Sequence, residues 1–386
     1  SAPIAATIQR VVSSTTGLAK LSLLTPRMLS SGTSNISVAF PGANAVTAAA
    51  TKDGASSSFF LQSYAAPVFE RWYPTAGYMS GGMTVTAASA QAAECKPSKW
   101  GADDEIGAAN YVTPEQVMMA AKLVKKGQSH PLGIVIDSKT PAFPPRSLSL
   151  QIVQPGQHNG RQLKQDFGWP VVYNDDIAQL WFGIGPQIDG LGHLGENDTY
   201  YNCNKAEDFI HITGLKKLGV HAIPPLIGRG VMVDMAKHFG VATMEGGQAI
   251  SSADIKAAAK AQGVEFRQGD VVLFHTGWTD GKLVSDPKAW GSMEPGLNNE
   301  AMAYMASVNP MAVGADTWGV DVVPPPKGDK VFYGHVSLLK ENGIYILETM
   351  NTGRLAKEGV HEFMFVLGQA RIRGSIQMII NPVAMW

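Results

Sequence analysis

The chain has 386 residues, of which 45% are hydrophobic and 16% are charged, and its formal net charge is −1. This length suits one large α/β domain with additions or two to three average domains, and the composition is that of a globular protein. The near-neutral charge does not indicate binding to nucleic acid or to an anionic membrane. The chain contains no run of about 18 apolar residues, so no membrane span is predicted. We therefore expect a soluble protein that binds a small, roughly neutral ligand or a protein partner.

Residues 1–93 differ in composition from the rest of the chain. They are rich in Ser, Ala, Thr and Gly, and no acidic residue precedes Asp53, whereas basic residues occur at Arg10, Lys20 and Arg27. This composition is typical of an organellar targeting segment, but the SFFLQSYAAPVFERWYP stretch could pack, and the SGGM stretch could equally be a cloning remnant. We treat 1–93 as an N-terminal extension of uncertain origin and 94–386 as a catalytic domain, and the compartment stays open.

Two cysteines, Cys95 and Cys203, are too few for a disulfide framework or a cysteine-rich zinc site. One bridge between them is an option, but we expect two thiols.

Two helices are predicted from their capping residues. In TPEQVMMAAKLVKKG, Thr113 is the N-cap, Pro114 takes the first helical position and Gly127 ends the helix. In SADIKAAAKAQG, Ser252 is the N-cap and Gly263 ends the helix.

Three apolar runs predict buried strands: residues 271–274 within GDVVLFHTGW, and the runs MAVGAD and GIYILE. The last two runs end in carboxylates, Asp316 and Glu348, which are positioned for a site at a strand end. The alternative is that each carboxylate begins a solvent loop. The alternation of strands and helices predicts an α/β domain with a mixed β-sheet and flanking helices.

The stretch WFGIGPQIDGLGHLG, residues 181–195, carries three polar residues among glycines. Gln187 and Asp189 are separated by one residue, so on an extended segment both side chains face the same side and can share one ion. His193 follows after two glycines that let the backbone turn sharply. Taken alone, such a histidine is more often a structural residue than a ligand.

A second polar cluster lies in FYGHVSLLKENGIYILE. His335 is expected near the start of a short helix, and Glu348 ends the next strand. An imidazole, two carboxylates and an amide carbonyl together suit Zn²⁺, Mn²⁺ or another divalent ion.

Candidate substrate-binding residues surround these clusters. The aromatic ones form a wall for an apolar or planar substrate, with core packing as the alternative: Trp181, Phe182, Tyr200, Tyr201 and Trp318. Arg229 in GRGVMVD is a candidate for binding a substrate carboxylate, and a surface ion pair is the alternative.

Taken in chain order, PQIDGLGHLG, RGVMVDMA, GDVVLFHTGW and the pair His335 and Glu348 resemble the cyclase family of metal-dependent hydrolases. That family includes kynurenine formamidase, isatin hydrolase and trans-dienelactone hydrolase, and the resemblance covers about residues 100–386. The family signature is His-x-Gly-Thr-His-x-Asp-x-Pro-x-His, in which the first two histidines and the aspartate bind metal and the last histidine lies near the reacting centre. These four positions fall on Gly183, Gln187, Asp189 and His193, so the chain is similar to a variant with Gln-x-Asp in place of His-x-Asp.

The resemblance implies the family fold, one divalent ion (Zn or Mn) and a homo-oligomer. The ligands it implies are Asp189, His335 and Glu348, with Gln187 as a fourth ligand or as a group that orients the bound water. His193 would then handle protons during hydrolysis of an amide or lactone bond in a small, cyclic or aromatic substrate, with a metal-activated water as the nucleophile. The alternatives are a lyase or dehydratase on the same metal scaffold, and a metal-free binding or structural protein that has lost activity.

Overall fold

The structure is a computed structural model that describes residues 34–38, 46–50, 95, 97–157 and 163–386. The chain divides into two units, Ser1–Ser89 and Ala90–Trp386. In the first unit, strands β1 (Ser34–Val38) and β2 (Val46–Ala50) pair antiparallel. The aromatic stretch at 58–74 lies outside the described residues, and the boundary after residue 93 stays a prediction.

The second unit contains strands and helices throughout its length. Its strands are β3 (Ser129–Pro131), β4 (Leu148–Val153), β5 (Asp175–Leu180), β6 (Gln187–Asp189), β7 (Ile210–His211), β8 (Gly214–Leu215), β9 (Leu226–Asp234), β10 (Ala249–Ile250), β11 (Val271–His275), β12 (Gly296–Leu297), β13 (Ala312–Ala315), β14 (Tyr345–Glu348), β15 (Glu362–Leu367), β16 (Gln377–Ile379) and β17 (Val383–Met385). Its α-helices are α1 (Pro114–Ala121), α2 (Lys164–Phe167), α3 (Ala206–Phe209), α4 (Met235–His238), α5 (Ser252–Gln262), α6 (Trp278–Lys282), α7 (Pro287–Trp290), α8 (Asn299–Val308), α9 (Tyr333–His335) and α10 (Gly353–Glu358).

A nine-stranded mixed sheet forms the centre of this unit, in the order β16-β6-β14-β13-β11-β9-β15-β17-β3. The four central strands β14, β13, β11 and β9 are parallel, and the strands on both sides pair antiparallel. The central strands are apolar and almost entirely buried, as expected for parallel strands covered on both faces. Helices α1, α4, α5 and α10 contact β9 or β11. The predicted α/β fold with a mixed sheet and flanking helices is confirmed, as is the buried strand at 271–274.

Helix α1 begins where its sequence predicts but ends earlier. The Thr113 side chain accepts a hydrogen bond from the amide of Gln116, with Pro114 at the first helical position. The predicted end at Gly127 is wrong, because the helix stops at Ala121. Beyond it, the amides of Lys126 and Gln128 both donate to the carbonyl of Trp386 at 3.1 Å, so a distant residue takes these backbone groups.

Helix α5 is capped one residue earlier than predicted. Ser251, not Ser252, is the N-cap: its side chain and the Asp254 side chain each accept the other's amide, which forms a capping box. The amide of Ser252 donates instead to Glu300 at 3.0 Å. The predicted end at Gly263 is confirmed, in the left-handed conformation that favours glycine.

Cys95 and Cys203 form a disulfide with a Cα–Cα distance of 5.7 Å, so the expectation of two thiols is wrong. Asn202 explains why the two cysteines meet. Its side chain accepts from the amide of Ser98 and donates to three carbonyls, of Gly101, Ala102 and Asp104. These bonds hold the loop that follows Cys95 against the turn that contains Cys203, an approach that spacing along the chain does not reveal.

Within the described residues, no helix combines the length and the apolar character that crossing a bilayer requires.

Candidate functional site

Strands β6 and β14 bring the two predicted polar clusters together at one edge of the parallel strands. In their antiparallel register Gln187 is opposite Glu348, and Asp189 is opposite Ile346. The amide nitrogen of Gln187 donates to Asp189 Oδ1 at 3.2 Å, so both side chains lie on the same face, as predicted. Gln187, Asp189 and Glu348 are all buried.

His335 reaches this cluster from α9, with its ring fixed from behind by Asp321. Nδ1 of His335 lies 2.7 Å from Asp321 Oδ2, while the other oxygen of Asp321 accepts the amide of Gly334 at 2.7 Å. Nε2 of His335 faces the cluster, 3.2 Å from Glu348 Oε1 and 3.6 Å from Asp189 Oδ2. A carboxylate behind a histidine is the usual arrangement for orienting a metal ligand.

One oxygen of Asp189 has no hydrogen-bond donor among the described residues. Asp189 is fully buried; its Oδ1 accepts from Gln187 and Gln377, while its Oδ2 has no such partner. A buried, unsatisfied carboxylate oxygen is costly, and a cation would satisfy it.

Two imidazoles lie near this orphaned oxygen. Nε2 of His193 is 3.9 Å from Asp189 Oδ2, and ligand atoms of Asp189, His193 and His335 lie within 4.8 Å of one another. Ligands around a tetrahedral zinc ion lie roughly 3.3 Å apart, given metal–ligand bonds of about 2.0–2.1 Å. Nε2 of His335 lies 3.6 Å from Oδ2 of Asp189 and 3.2 Å from Oε1 of Glu348, so these three donors fit one divalent ion, with His193 as a second imidazole beside it.

Gln187 holds the two carboxylates of the cluster. Its amide nitrogen donates to Glu348 Oε2 at 2.5 Å as well as to Asp189 Oδ1. The NH₂ nitrogen of a glutamine side chain is a donor and cannot ligate a cation, and this nitrogen is the atom that lies between the two carboxylates. The structure therefore shows Gln187 holding carboxylates, and its two predicted roles, as a fourth ligand or as a group that orients the bound water, stay predictions.

Burial and charge shift the pKa values of the ionisable groups in this cluster. Burial raises the pKa of Glu348 to about 8, and the nearby charge of Asp189 acts in the same direction. Burial alone would lower the pKa of His335, but its bonds to Asp321 and Glu348 outweigh burial and hold that pKa well above the ordinary value. For His193, burial lowers the pKa more than Asp189 raises it.

Asp316 belongs to a different buried group. Its Oδ1 accepts from the amide and the hydroxyl of Thr276, and its Oδ2 lies 3.4 Å from Nδ1 of His275. Asp316 and Glu348 are 2% and 4% exposed, so the alternative that they begin solvent loops is wrong for both. Only Glu348 joins the candidate metal centre.

Of the predicted aromatic wall, Trp318 lies at the site. It lines a narrow cavity that also contacts Gln187, and its ring stacks on Phe143 at a centroid distance of 5.5 Å. With Trp278 and Trp290 it forms a small apolar cluster separate from the main core.

The other four predicted aromatic residues do not line this cavity. Tyr201 is buried and donates to Asp104 at 2.6 Å, while Tyr200 packs edge-on against Phe209 and Phe182 packs against the main core. The alternative of core packing is therefore correct for Tyr201, Tyr200 and Phe182. Trp181 is 50% exposed.

Arg229 lies at the opposite end of the parallel strands from Glu348. Its guanidinium contacts Asp270 at 2.6 Å, Glu362 at 2.8 Å and the carbonyl of Glu265 at 3.0 Å. Asp270 immediately precedes β11, whereas Glu348 ends β14. The predicted contact between Arg229 and a substrate carboxylate is therefore wrong, because the guanidinium lies far from the site and is already bonded to these three partners. The alternative of an ion pair is correct, although the pair is buried and not on the surface.

Four residues at the site were missed by the sequence analysis: Asp321, Gln377, Glu294 and Arg146. Glu294 is fully buried, and its Oε2 accepts the amide of Gly319 at 3.1 Å. Burial raises the pKa of Glu294 well above its ordinary value, and the charges of Glu348 and Asp321 add to the shift. None of the four stands in a motif, and only their tertiary contacts identify them.

The fold and the site define an α/β protein with a candidate metal centre at the edge of a mixed sheet. Residues 129–322 match the Cyclase ("Putative cyclase") family model, which is half of the chain, and the chain belongs to this family. A crystal structure of a novel cyclase is 28% identical and has a TM-score of 0.67, covering 75% of this chain and 98% of that one. Isatin hydrolase A from Ralstonia solanacearum, at 16% identity and a TM-score of 0.51, covers 71% and 97% and shares the fold. A comparison with curated proteins gave no match.

Proposed function

We propose that this protein is a metal-dependent hydrolase that cleaves an amide or lactone bond in a small, cyclic or aromatic substrate. The observation that carries the proposal is the buried Oδ2 of Asp189, which has no donor among the described residues and faces two imidazoles. A buried carboxylate oxygen without a donor is costly, and a divalent ion at this place would satisfy it. The name of the isatin hydrolase that shares the fold agrees with a substrate of this kind.

Asp189, His335 and Glu348 would hold one divalent ion. Imidazole and carboxylate donors suit Zn²⁺ and Mn²⁺. When bound, such an ion polarises a carbonyl and lowers the pKa of water. Asp321 keeps the ring of His335 in place, and Gln187 keeps the two carboxylates in place through its amide nitrogen.

His193 is the residue proposed to move the proton. Its side chain is 21% exposed, whereas Asp189 and His335 are buried, so among these three residues it has the best access to a substrate. As the water oxygen bonds to the carbonyl carbon, His193 accepts the proton that the water loses. It then gives this proton to the nitrogen or oxygen that leaves when the C–N or C–O bond breaks.

Metal analysis tests the metal centre directly. After refolding with Zn²⁺ or Mn²⁺ and removal of free metal, we expect about one ion per chain, because metal binding is coupled to formation of the site. Less than about 0.1 ion per chain would contradict the proposal.

The role of His193 and the reaction type need separate measurements. His193→Ala should keep the ion and lose turnover, and retained activity would reject the proton role. A hydrolase incorporates labelled oxygen from water into its product during acyl cleavage, whereas a lyase or dehydratase does not. N-formyl aromatic amines, cyclic imides and unsaturated lactones are the substrates to screen.

A further inference from the structure

The loop that ends at Arg146 places a guanidinium beside the candidate metal centre. The amide of Arg146 donates to the carbonyl of Phe143 at 3.1 Å, which turns the loop, and Nη1 donates to the carbonyl of Gly183 at 2.7 Å. The charge of Arg146 lies within electrostatic range of Asp189 and Glu348. Arg146 and Gly183 line the same narrow cavity as Gln187.

The guanidinium fills space that any side chain at position 183 would need. A Cβ on Gly183 would lie 2.6 Å from Nη1 and 2.7 Å from Cζ of Arg146, and 2.9 Å from Oε1 of Gln377. Real Cβ atoms do not approach other atoms so closely, so a side chain at position 183 would displace the Arg146 guanidinium from this place. Position 183 is also where the family signature has its first histidine. In this chain the guanidinium of Arg146 occupies the space beside that position.

Most hydrogen-bonding capacity of Arg146 is unused. A guanidinium has five N–H donors in a planar fork, and across the part of the chain that the structure describes only the bond to Gly183 engages one of them. The side chain is partly buried. The free donors of a guanidinium fork match the two oxygens of a planar carboxylate.

Aromatic rings form the other walls of the cavity. Phe143, Trp290 and Trp318 line it together with Arg146. While Phe143 stacks on Trp318, the cavity measures only about 10 Å³. Phe143 is 41% exposed and lies on the same loop as Arg146.

We propose that Arg146 determines substrate specificity by binding a carboxylate carried on an aromatic substrate. The substrate ring replaces that of Phe143 over Trp318, and the carboxylate pairs with the free donors of Arg146. This inference rests on the proposed function for the reaction that follows binding. The anion site itself depends only on Arg146, Gly183 and the aromatic walls.

Benzoate and benzamide test the proposal, because they have the same shape and differ in charge. Binding is measured by calorimetry on the full chain, both metal-free and loaded with Zn²⁺. In both forms we expect benzoate to bind about tenfold or more tighter than benzamide, the size expected for a charge-assisted pair. Arg146→Met should abolish this preference, whereas Arg371→Met, which changes an exposed arginine, should keep it.

The variants and the two metal states separate the outcomes. Arg146→Lys keeps the charge but loses the fork, so it should weaken benzoate binding several-fold and leave benzamide unchanged; it also serves if Arg146→Met does not fold. The inference is overturned if Arg146→Met still prefers benzoate. It is also overturned if the preference appears only with Zn²⁺ and does not depend on Arg146. If the preference depends on Arg146 but the chain binds no metal, the inference holds and the proposed hydrolase function fails.

Discussion

Oδ2 of Asp189 lies 3.6 Å from Nε2 of His335, and no described residue donates a hydrogen bond to that oxygen. Two features produce this relationship: β6 pairs with β14, and α9 is followed in the chain by a π-helix at Val336–Glu341 and then by β14. A cation between the two atoms would satisfy the buried carboxylate of Asp189. It would also contact Nε2 of His335, which faces the cluster because Asp321 holds Nδ1 on the other side of the ring.

Asp189→Asn should abolish metal binding. The substitution keeps the size of the side chain but removes the charge and places a nitrogen, which cannot ligate, at one of the two oxygen positions. We expect the bound ion to fall from about one to below about 0.1 per chain in elemental analysis. Asp198→Asn, a change at an exposed position in the same segment, is the matched control and should bind as much metal as the original protein.

Asp321→Asn should weaken metal binding without abolishing it. Its carboxylate accepts from both the His335 ring and the Gly334 amide, and the one acceptor oxygen of an asparagine cannot serve both, so the ring is held less firmly. Loss of such a supporting contact typically lowers metal affinity about 10- to 100-fold. Competition with a chelator measures the affinity, and Asp329→Asn on the same segment is the control. An unchanged affinity would show that Asp321 does not position His335.

Gly183→Ala should displace the Arg146 guanidinium. The added Cβ would meet Nη1 and Cζ of Arg146 and Oε1 of Gln377, which are the ends of flexible side chains, so we expect these ends to move at a cost of less than about 1 kcal/mol in the free energy of unfolding. Benzoate binding should weaken together with stability. Gly368→Ala is the matched control because a Cβ there meets nothing within 4 Å. Benzoate binding as tight in Gly183→Ala as in Gly368→Ala would contradict the predicted displacement of the guanidinium.

Glu294→Gln should change how stability depends on pH. Burial raises the pKa of Glu294 well above the value of 4.5 for the unfolded chain, so the folded state prefers the neutral carboxyl. The stability contribution of Glu294 is complete below pH 4.5 and is lost as the pH rises through the folded pKa. The variant cannot ionise, so its stability relative to the original protein should increase from about pH 5 to 8 in urea denaturation.

Glu300→Gln is the control for this measurement. Hydrogen bonds from Ser252 lower the pKa of Glu300, so this carboxylate stays ionised in both states over the same pH window. Its substitution should therefore change stability by a constant amount between about pH 5 and 8. A flat difference for Glu294→Gln as well would mean that Glu294 is ionised in the folded protein.

Reduction of the Cys95–Cys203 disulfide should destabilise the second unit. The bridge closes a loop of 108 residues, and removing a natural disulfide typically costs about 2–4 kcal/mol. Thermal unfolding with and without a reductant measures the loss, and a thiol titration confirms that the bridge was present. The double variant Cys95→Ser and Cys203→Ser should unfold like the reduced protein and should not respond to the reductant.

The sequence predicts the parts of this fold that neighbouring residues control. Thr113 begins α1 and Gly263 ends α5 because a side-chain acceptor or a missing Cβ acts on backbone groups a few residues away. The strand period of two places Gln187 and Asp189 on one face without help from the rest of the chain. Where a remote group intervenes, as Trp386 does beyond the end of α1, the local prediction fails.

The candidate site divides in the same way. The sequence alone determined the residue types that can bind a divalent ion, their placement at strand ends, and the resemblance that named Asp189, His193, His335 and Glu348 as candidates. Only the tertiary structure decided which partners they meet: Asp321 behind His335, Gln377 on Asp189, and Arg146 in the space that Gly183 leaves free. The physical reason is that these contacts join segments far apart in the chain, so they depend on sheet order and loop paths. Residue type and spacing do not encode these by themselves.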